Sequence, residues 1–234
     1  MKRILIIVFT IIYGTITGQT YSDNILIGKG EPELFGEGIG LQKDAYTAFL
    51  KMKKAAGKER VDIKAVSGYR SFNRQKSIWE RKYKAYTNAG LLPEEAIEKI
   101  VEYSTIPGTS RHHWGTDVDI IDSAVPAEGD VLDADKFHGN GPFCKLKEWL
   151  DAHANDFGFY LVYTDDPKRK GFKYEPWHYS YKAISKPMLV AYKKLDIIAI
   201  LRENKLLGSE YLTPDFMNTY IEDNIMDINP ELKD

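Results

Sequence analysis

The chain has 234 residues, 43% hydrophobic and 28% charged, which is ordinary globular material and excludes a disordered or fibrous protein. That length suits one packed domain with an extension, and a formal charge of −2 gives no electrostatic reason to expect a nucleic-acid partner. A single cysteine, Cys144, rules out an internal disulfide, so the fold must rest on its core, a bound metal, or both. Cys144 opens an amphipathic segment, GPFCKLKEWL, and reads as a buried, inert thiol.

The first segment, 1–18, has the layout of a secretory signal peptide. Lys2 and Arg3 precede an apolar run from Ile4 to Tyr13, and small and polar residues follow, with cleavage after Gly18. The run is shorter than the roughly 20 residues that span a bilayer. The mature chain is therefore expected to be exported, to the periplasm or cell envelope, with no stable membrane span. Losing Lys2 and Arg3 carries its formal charge from −2 to −4.

A glycine-rich stretch, SDNILIGKGEPELFGEGIGL, reads as irregular; no Gly-Lys-Ser/Thr follows that would make it a phosphate loop. From Gln42 to Ala56, Ala45, Phe49 and Met52 recur at helical spacing. VDIKAVSGY alternates Val61, Ile63 and Ala65 as a strand does. Ser71 is placed to cap the next helix, which Gly90 ends. LLPEEAIEKIVEY starts another, with proline and two glutamates in its first turn. TDVDII reads as a strand, Phe143 to Phe157 as a helix, and FYLVY and WHYSY as two further strands. From Ser185 onward the pattern is helical, apolar at first and acidic at the end, where the charge reads as a solvated face. The expected class is α+β: a small, mostly antiparallel sheet packed with helices, a main domain over 19–182 and a C-terminal helical extension over 183–234 packed on it.

Chemistry concentrates in SRHHWGTDVDI, residues 110–120, and YEPWHYSY, residues 174–181. His138 and His153, elsewhere, read as ordinary surface or partly buried histidines. A histidine and an acid from the first segment plus His178 from the second would make a three-ligand zinc site with one position left for water. Zinc donors lie about 2 Å from the metal, whereas a straight strand separates His112 from Asp119 by roughly 23 Å. The chain must therefore turn between them, and Gly115 is the natural place. Beyond the turn Asp117 and Asp119 share one face of the strand. Parity chooses neither between these aspartates nor between His112 and His113. It also sets Glu175 and His178 on opposite faces, so Pro176 has to break the strand.

SRHHWGTDVD follows the pattern Ser-x-His-x-x-Gly-x-Ala-x-Asp except at one position, EPWH follows Glu-x-Trp-His, and SGYRSFNRQ lies upstream of both. In this order the three segments resemble the zinc D-alanyl-D-alanine carboxypeptidases of the vancomycin-resistance type. That family is related to the D-Ala-D-Ala dipeptidases and, more distantly, to lysostaphin-type and hedgehog domains. The resemblance runs from Val61 to Tyr181 and implies a zinc site on the sheet, one ion per chain, held by His112, Asp119 and His178. It further implies Glu175 as catalytic base, Arg70 as stabiliser of charge near the scissile carbonyl, and Tyr69, Gln75 and Ser110 as substrate contacts. His113 becomes a neighbour only. Asp117 stands where the family has alanine, on the face of Asp119, a place from which it could hydrogen-bond a ligand from the second layer, add negative charge, or narrow the pocket.

The activity so implied is that of a zinc D,D-carboxypeptidase trimming the terminal D-alanine of peptidoglycan stem peptides; with the signal segment, the chain is expected to act as an exported monomer. A D-Ala-D-Ala dipeptidase or a peptidoglycan endopeptidase is the alternative, decided by rims expected over 88–109 and 123–141. A non-catalytic zinc-containing wall-binding module is a third, disfavoured by Glu175 and Arg70 beside a full ligand set.

Overall fold

The computed structural model describes residues 21–233, so the signal segment expected at 1–18 lies outside it. Four strands form one antiparallel sheet: β1 (Ile63–Ser67), β2 (Asp117–Asp122), β3 (Phe159–Leu161) and β4 (His178–Tyr181), in the order β1-β2-β4-β3. Helices α1 (Asp23–Leu26) and α2 (Lys43–Lys58) precede the sheet in sequence. Helices α3 (Phe72–Asn88), α4 (Pro93–Ile100) and α5 (Cys144–His153) fall between strands, and α6 (Lys182–Tyr192), α7 (Ile197–Glu203) and α8 (Pro214–Tyr220) follow.

Local signals act where the sequence places them. The Ser71 hydroxyl accepts the Arg74 amide at 3.2 Å and starts α3, and Gly90, at φ +98°, follows its end. Pro93 opens α4, and the Glu95 carboxylate accepts the Leu92 amide at 2.9 Å. The segment from Phe143 is α-helical only to His153 and closes in a 3₁₀ turn, Ala154–Phe157. Cys144 is partly exposed rather than buried, because it sits in the first turn of α5 with its thiol towards the Gly139 carbonyl.

Alternation on β2 and β4 separates two worlds. Val118 pairs with Tyr179, and these with Ile120, Ile63 and Phe159 meet Phe49 and Met52 of α2 and Leu146 and Leu150 of α5 in one apolar cluster. The opposite face carries Asp117 paired with Ser180 and Asp119 paired with His178. Every residue of β2 is buried, so this polar face is covered as well.

What covers it includes the C-terminal segment. Met188, Leu189 and Tyr192 of α6 share a core with Phe72 and Trp79 of α3 and with Trp114. Tyr192 donates its hydroxyl to the Gly108 carbonyl at 3.0 Å. Tyr220 accepts the Ile106 amide at 3.0 Å and meets the Thr109 hydroxyl at 2.8 Å. Both tyrosines thus fasten the loop that leads into Ser110. Among the described residues no helix is long and apolar enough to cross a membrane.

Tyr220→Phe removes the hydroxyl that accepts the buried Ile106 amide. It should destabilise the protein by about 1–3 kcal/mol, the cost of stranding a buried polar group, as read by urea unfolding.

Candidate metal centre and active-site cleft

Residues Arg111–Trp114 form a 3₁₀ turn that ends at Gly115, in the left-handed region at φ 65°, ψ 30°. A side chain there would be strained, and its Cβ would lie 2.7 Å from Leu34. This turn folds His112 back over β2. Nε2 of His112 lies 3.5 Å from Asp119 Oδ2, and the rings of His112 and His178 are 4.7 Å apart. Nδ1 of His178 lies 4.0 Å from Asp119 Oδ1. The three donor atoms fall within 4.8 Å of one another, and all three residues are buried.

The outer nitrogens fix the tautomers. His112 turns Nδ1 to the Gly68 carbonyl at 2.7 Å, which leaves its Nε2 lone pair facing Asp119. His178 turns Nε2 to Asp117 Oδ2 at 3.0 Å, which leaves Nδ1 facing inward. Asp119 Oδ1 is buried and has no hydrogen-bond partner among the described residues. Two imidazole lone pairs and an unpaired carboxylate oxygen aimed at one point fit a zinc ion.

The electrostatics agree. Burial works against charge on both Asp119 and His178, yet mutual attraction wins for each. Interactions with the neighbouring His112, His178 and Arg70 bring Asp119 down to about 2. Asp117, Glu175 and Asp119 hold His178 up, at about 10. These carboxylates create a place that favours positive charge, proton or metal.

Asp117 is fully buried and fully used. Its Oδ1 accepts Thr116 Oγ1 at 2.7 Å and Ser180 Oγ at 2.6 Å, and its Oδ2 accepts Arg111 Nε at 3.0 Å beside His178. Arg111 also donates to Ser180 Oγ at 2.8 Å and lies over the Trp114 ring. Sequence reasoning missed Arg111. The signal was available: an acid on a buried strand demands a counter-charge, and Arg111 is the cation within the same motif.

His113 points away from the centre. Its Nε2 accepts the Gly108 amide at 3.1 Å and its Nδ1 meets the Arg70 carbonyl, while burial lowers its pKa to about 3 and keeps it neutral. It ties the loop before Ser110 to the loop that carries Arg70.

Glu175 and His178 belong to a turn, with the His178 amide donating to the Glu175 carbonyl at 3.1 Å and Pro176 within it. The turn, rather than strand parity, brings Glu175 Oε2 to 2.9 Å from His178 Nδ1. Arg70 donates through Nη1 to Gln75 Oε1 at 2.9 Å and through Nη2 to Ser67 Oγ at 3.0 Å, and Nη2 stands 3.9 Å from Asp119.

A cleft of about 620 Å³ opens over these groups, lined by Arg70, Ser110, His112, Asp119, Glu175 and His178. Its rims come from Tyr103–Thr105 and Asp130–Asp135, within the two segments expected to form them. Two expected substrate contacts need correction. Tyr69 lies outside this cleft: its amide donates to Ile39 and Gly40 carbonyls, its hydroxyl faces Gly30, and it lines a separate hollow. Gln75 is fully buried and spans from Arg70 to the Thr105 carbonyl at 2.7 Å, so it holds the arginine rather than a ligand.

A family model described as D-alanyl-D-alanine carboxypeptidase, VanY, matches residues 38–184. The chain belongs to the VanY family. The D-alanyl-D-alanine carboxypeptidase of Enterococcus faecalis (strain ATCC 700802 / V583) is 30% identical over 171 residues, which cover 73% of this chain and 58% of that protein. The chain thus spans little more than half the length of this relative. VanYB in complex with D-alanine-D-alanine superposes with a TM-score of 0.54 at 25% identity, over 75% of this chain and 90% of that one. A mutant VanY D,D-pentapeptidase from a VanB-type resistance cassette, in complex with Zn(II), gives a TM-score of 0.53 at 25% identity, over 73% and 89%. The small antiparallel sheet flanked by helices is therefore the VanY family's architecture.

Asp117→Asn keeps the shape but removes the charge that orients His178. Zinc affinity should fall about 10–100-fold, as loss of such outer partners does, in a chelator-competition titration of protein whose circular dichroism is unchanged.

Proposed function

We propose that this chain is an exported, zinc-dependent D,D-carboxypeptidase that removes the terminal D-alanine from peptidoglycan stem peptides, acting as a monomer with one ion per chain. The observation that carries the reading is Glu175 beside the convergent donors of His112, Asp119 and His178 in a cleft. Membership of the VanY family and the likeness to a D-alanine-D-alanine complex support the substrate. All the donors come from one chain, so the site needs no second copy to complete it. The basic, apolar, then small-residue layout of 1–18 supports export.

His112 Nε2, Asp119 and His178 Nδ1 would hold the ion, which as a Lewis acid would make water acidic enough to attack near neutral pH and polarise the scissile carbonyl. Glu175 takes the proton of the attacking water on its carboxylate and delivers it to the leaving amine of D-alanine. Arg70, held by Gln75 and Ser67, brings a fixed positive charge to the oxyanion that develops at the carbonyl. Asp117 and the Gly68 carbonyl keep both imidazoles in the ligating tautomer. Ser110, on the cleft wall, is in place to accept or donate to the peptide backbone.

Incubating the mature protein with pentapeptide muropeptides and weighing the products identifies the bond cut. Loss of one alanine residue is expected; loss of a dipeptide or release of cross-linked partners would assign a dipeptidase or endopeptidase instead. Glu175→Gln should lower kcat about 10²–10⁴-fold while retaining zinc, and a chelator should abolish wild-type turnover until zinc is restored.

A further inference from the structure

One cation of the cleft serves neither the metal donors nor their supports. Gln75, Ile78 and Lys82 follow one another along α3 at three- and four-residue spacing, so they share a face of that helix. Gln75 anchors Arg70, while Ile78 and Lys82 line the cleft beyond it. Two turns of helix carry Lys82 roughly 10 Å past Gln75 along the axis, and its flexible four-carbon stem allows the ammonium to reach back towards the centre. Burial holds its pKa below the ordinary lysine value, and Glu175, Arg70 and Asp130 are within its electrostatic reach. Yet Lys82 makes no hydrogen bond or ion pair with any described residue.

The other cations of the cleft are committed. Arg111 is bound to Asp117 and Ser180, and Arg70 to Gln75 and Ser67 near Asp119. Facing them are the carboxylates of Asp119, Glu175, Asp130, Asp133 and Asp135. A peptide that ends in a carboxylate one residue beyond the scissile bond must bring its charge into this acidic field. A half-buried ammonium with no partner is the group that makes such entry favourable, and it costs little to engage because no internal pair has to break.

We propose that Lys82 is a specificity-determining residue that receives the C-terminal carboxylate of the substrate and so restricts cleavage to the last residue of the stem. The inference rests on the carboxypeptidase reading. It makes Lys82 the counterpart of a free terminus, where an endopeptidase would need no fixed charge.

The test compares a pentapeptide ending in D-Ala-D-Ala with the same peptide as its C-terminal amide. Zinc-loaded wild type should prefer the acid about tenfold or more, the usual worth of a charge-assisted contact, with the preference in KM. Lys82→Met, which keeps the aliphatic stem, should erase the preference, and Lys82→Arg should restore it. Calorimetric binding of both peptides to zinc-loaded Glu175→Gln protein, with and without Lys82→Met, gives a second readout free of turnover. An unchanged acid-to-amide ratio in Lys82→Met, or equal losses on both peptides, would overturn the proposal. If wild type cleaves neither peptide but binding still favours the acid through Lys82, the carboxypeptidase reading falls and the role of Lys82 stands.

Discussion

The site depends on the register between β2 and β4. Asp119 lies opposite His178 and Asp117 opposite Ser180, while Val118 opposite Tyr179 faces the apolar cluster. A slip of one residue would exchange the two faces, sending the donors into the core and the valine into the cleft. Burial on both faces makes that slip expensive. The Arg111–Asp117–Ser180 network adds a polar lock within the same strand pair. The interactions that hold the sheet together are thus the ones that aim His178.

Around this pair the chain uses neighbours for opposite tasks. His112 faces the metal centre while His113, one residue on, joins the loop at Gly108 to the carbonyl of Arg70. Ser67 and Gln75 hold the guanidinium that the Arg70 backbone cannot orient alone. The C-terminal helices are part of this construction: Tyr192 and Tyr220 fasten residues 106–109, from which Ser110 and the 3₁₀ turn begin. Fold stability and site geometry are coupled through that loop.

Much of this was legible in the sequence, for reasons that differ by residue. Period-two alternation and Gly115 showed that the strand after the turn carries acids on one face, and the ordered motifs named His112, Asp119, His178 and Glu175. Parity could not say which histidine nitrogen points inward, because that depends on Asp117 and the Gly68 carbonyl across the sheet. Tyr69 and Gln75 were expected as substrate contacts from the family pattern around Arg70, and a motif position does not fix which way a side chain points. Gly68 packs so tightly that a Cβ would lie 2.1 Å from the Ile39 carbonyl, and the chain there turns Tyr69 outward. Lys82 was invisible in the sequence among the three lysines of α3, since only tertiary packing reveals which of them lines the cleft. The helices of the tail could be read, but not their sharing of a core with Trp79.

The central claim is that one ion is held by His112 through Nε2, by His178 through Nδ1 and by the Asp119 carboxylate. Crystals of zinc-loaded protein, measured at the zinc absorption edge, test it most directly. A single anomalous peak about 2 Å from those three atoms, with His178 Nε2 still on Asp117, is the predicted result. A peak elsewhere, or His178 bound through Nε2 with Asp117 released, would contradict it.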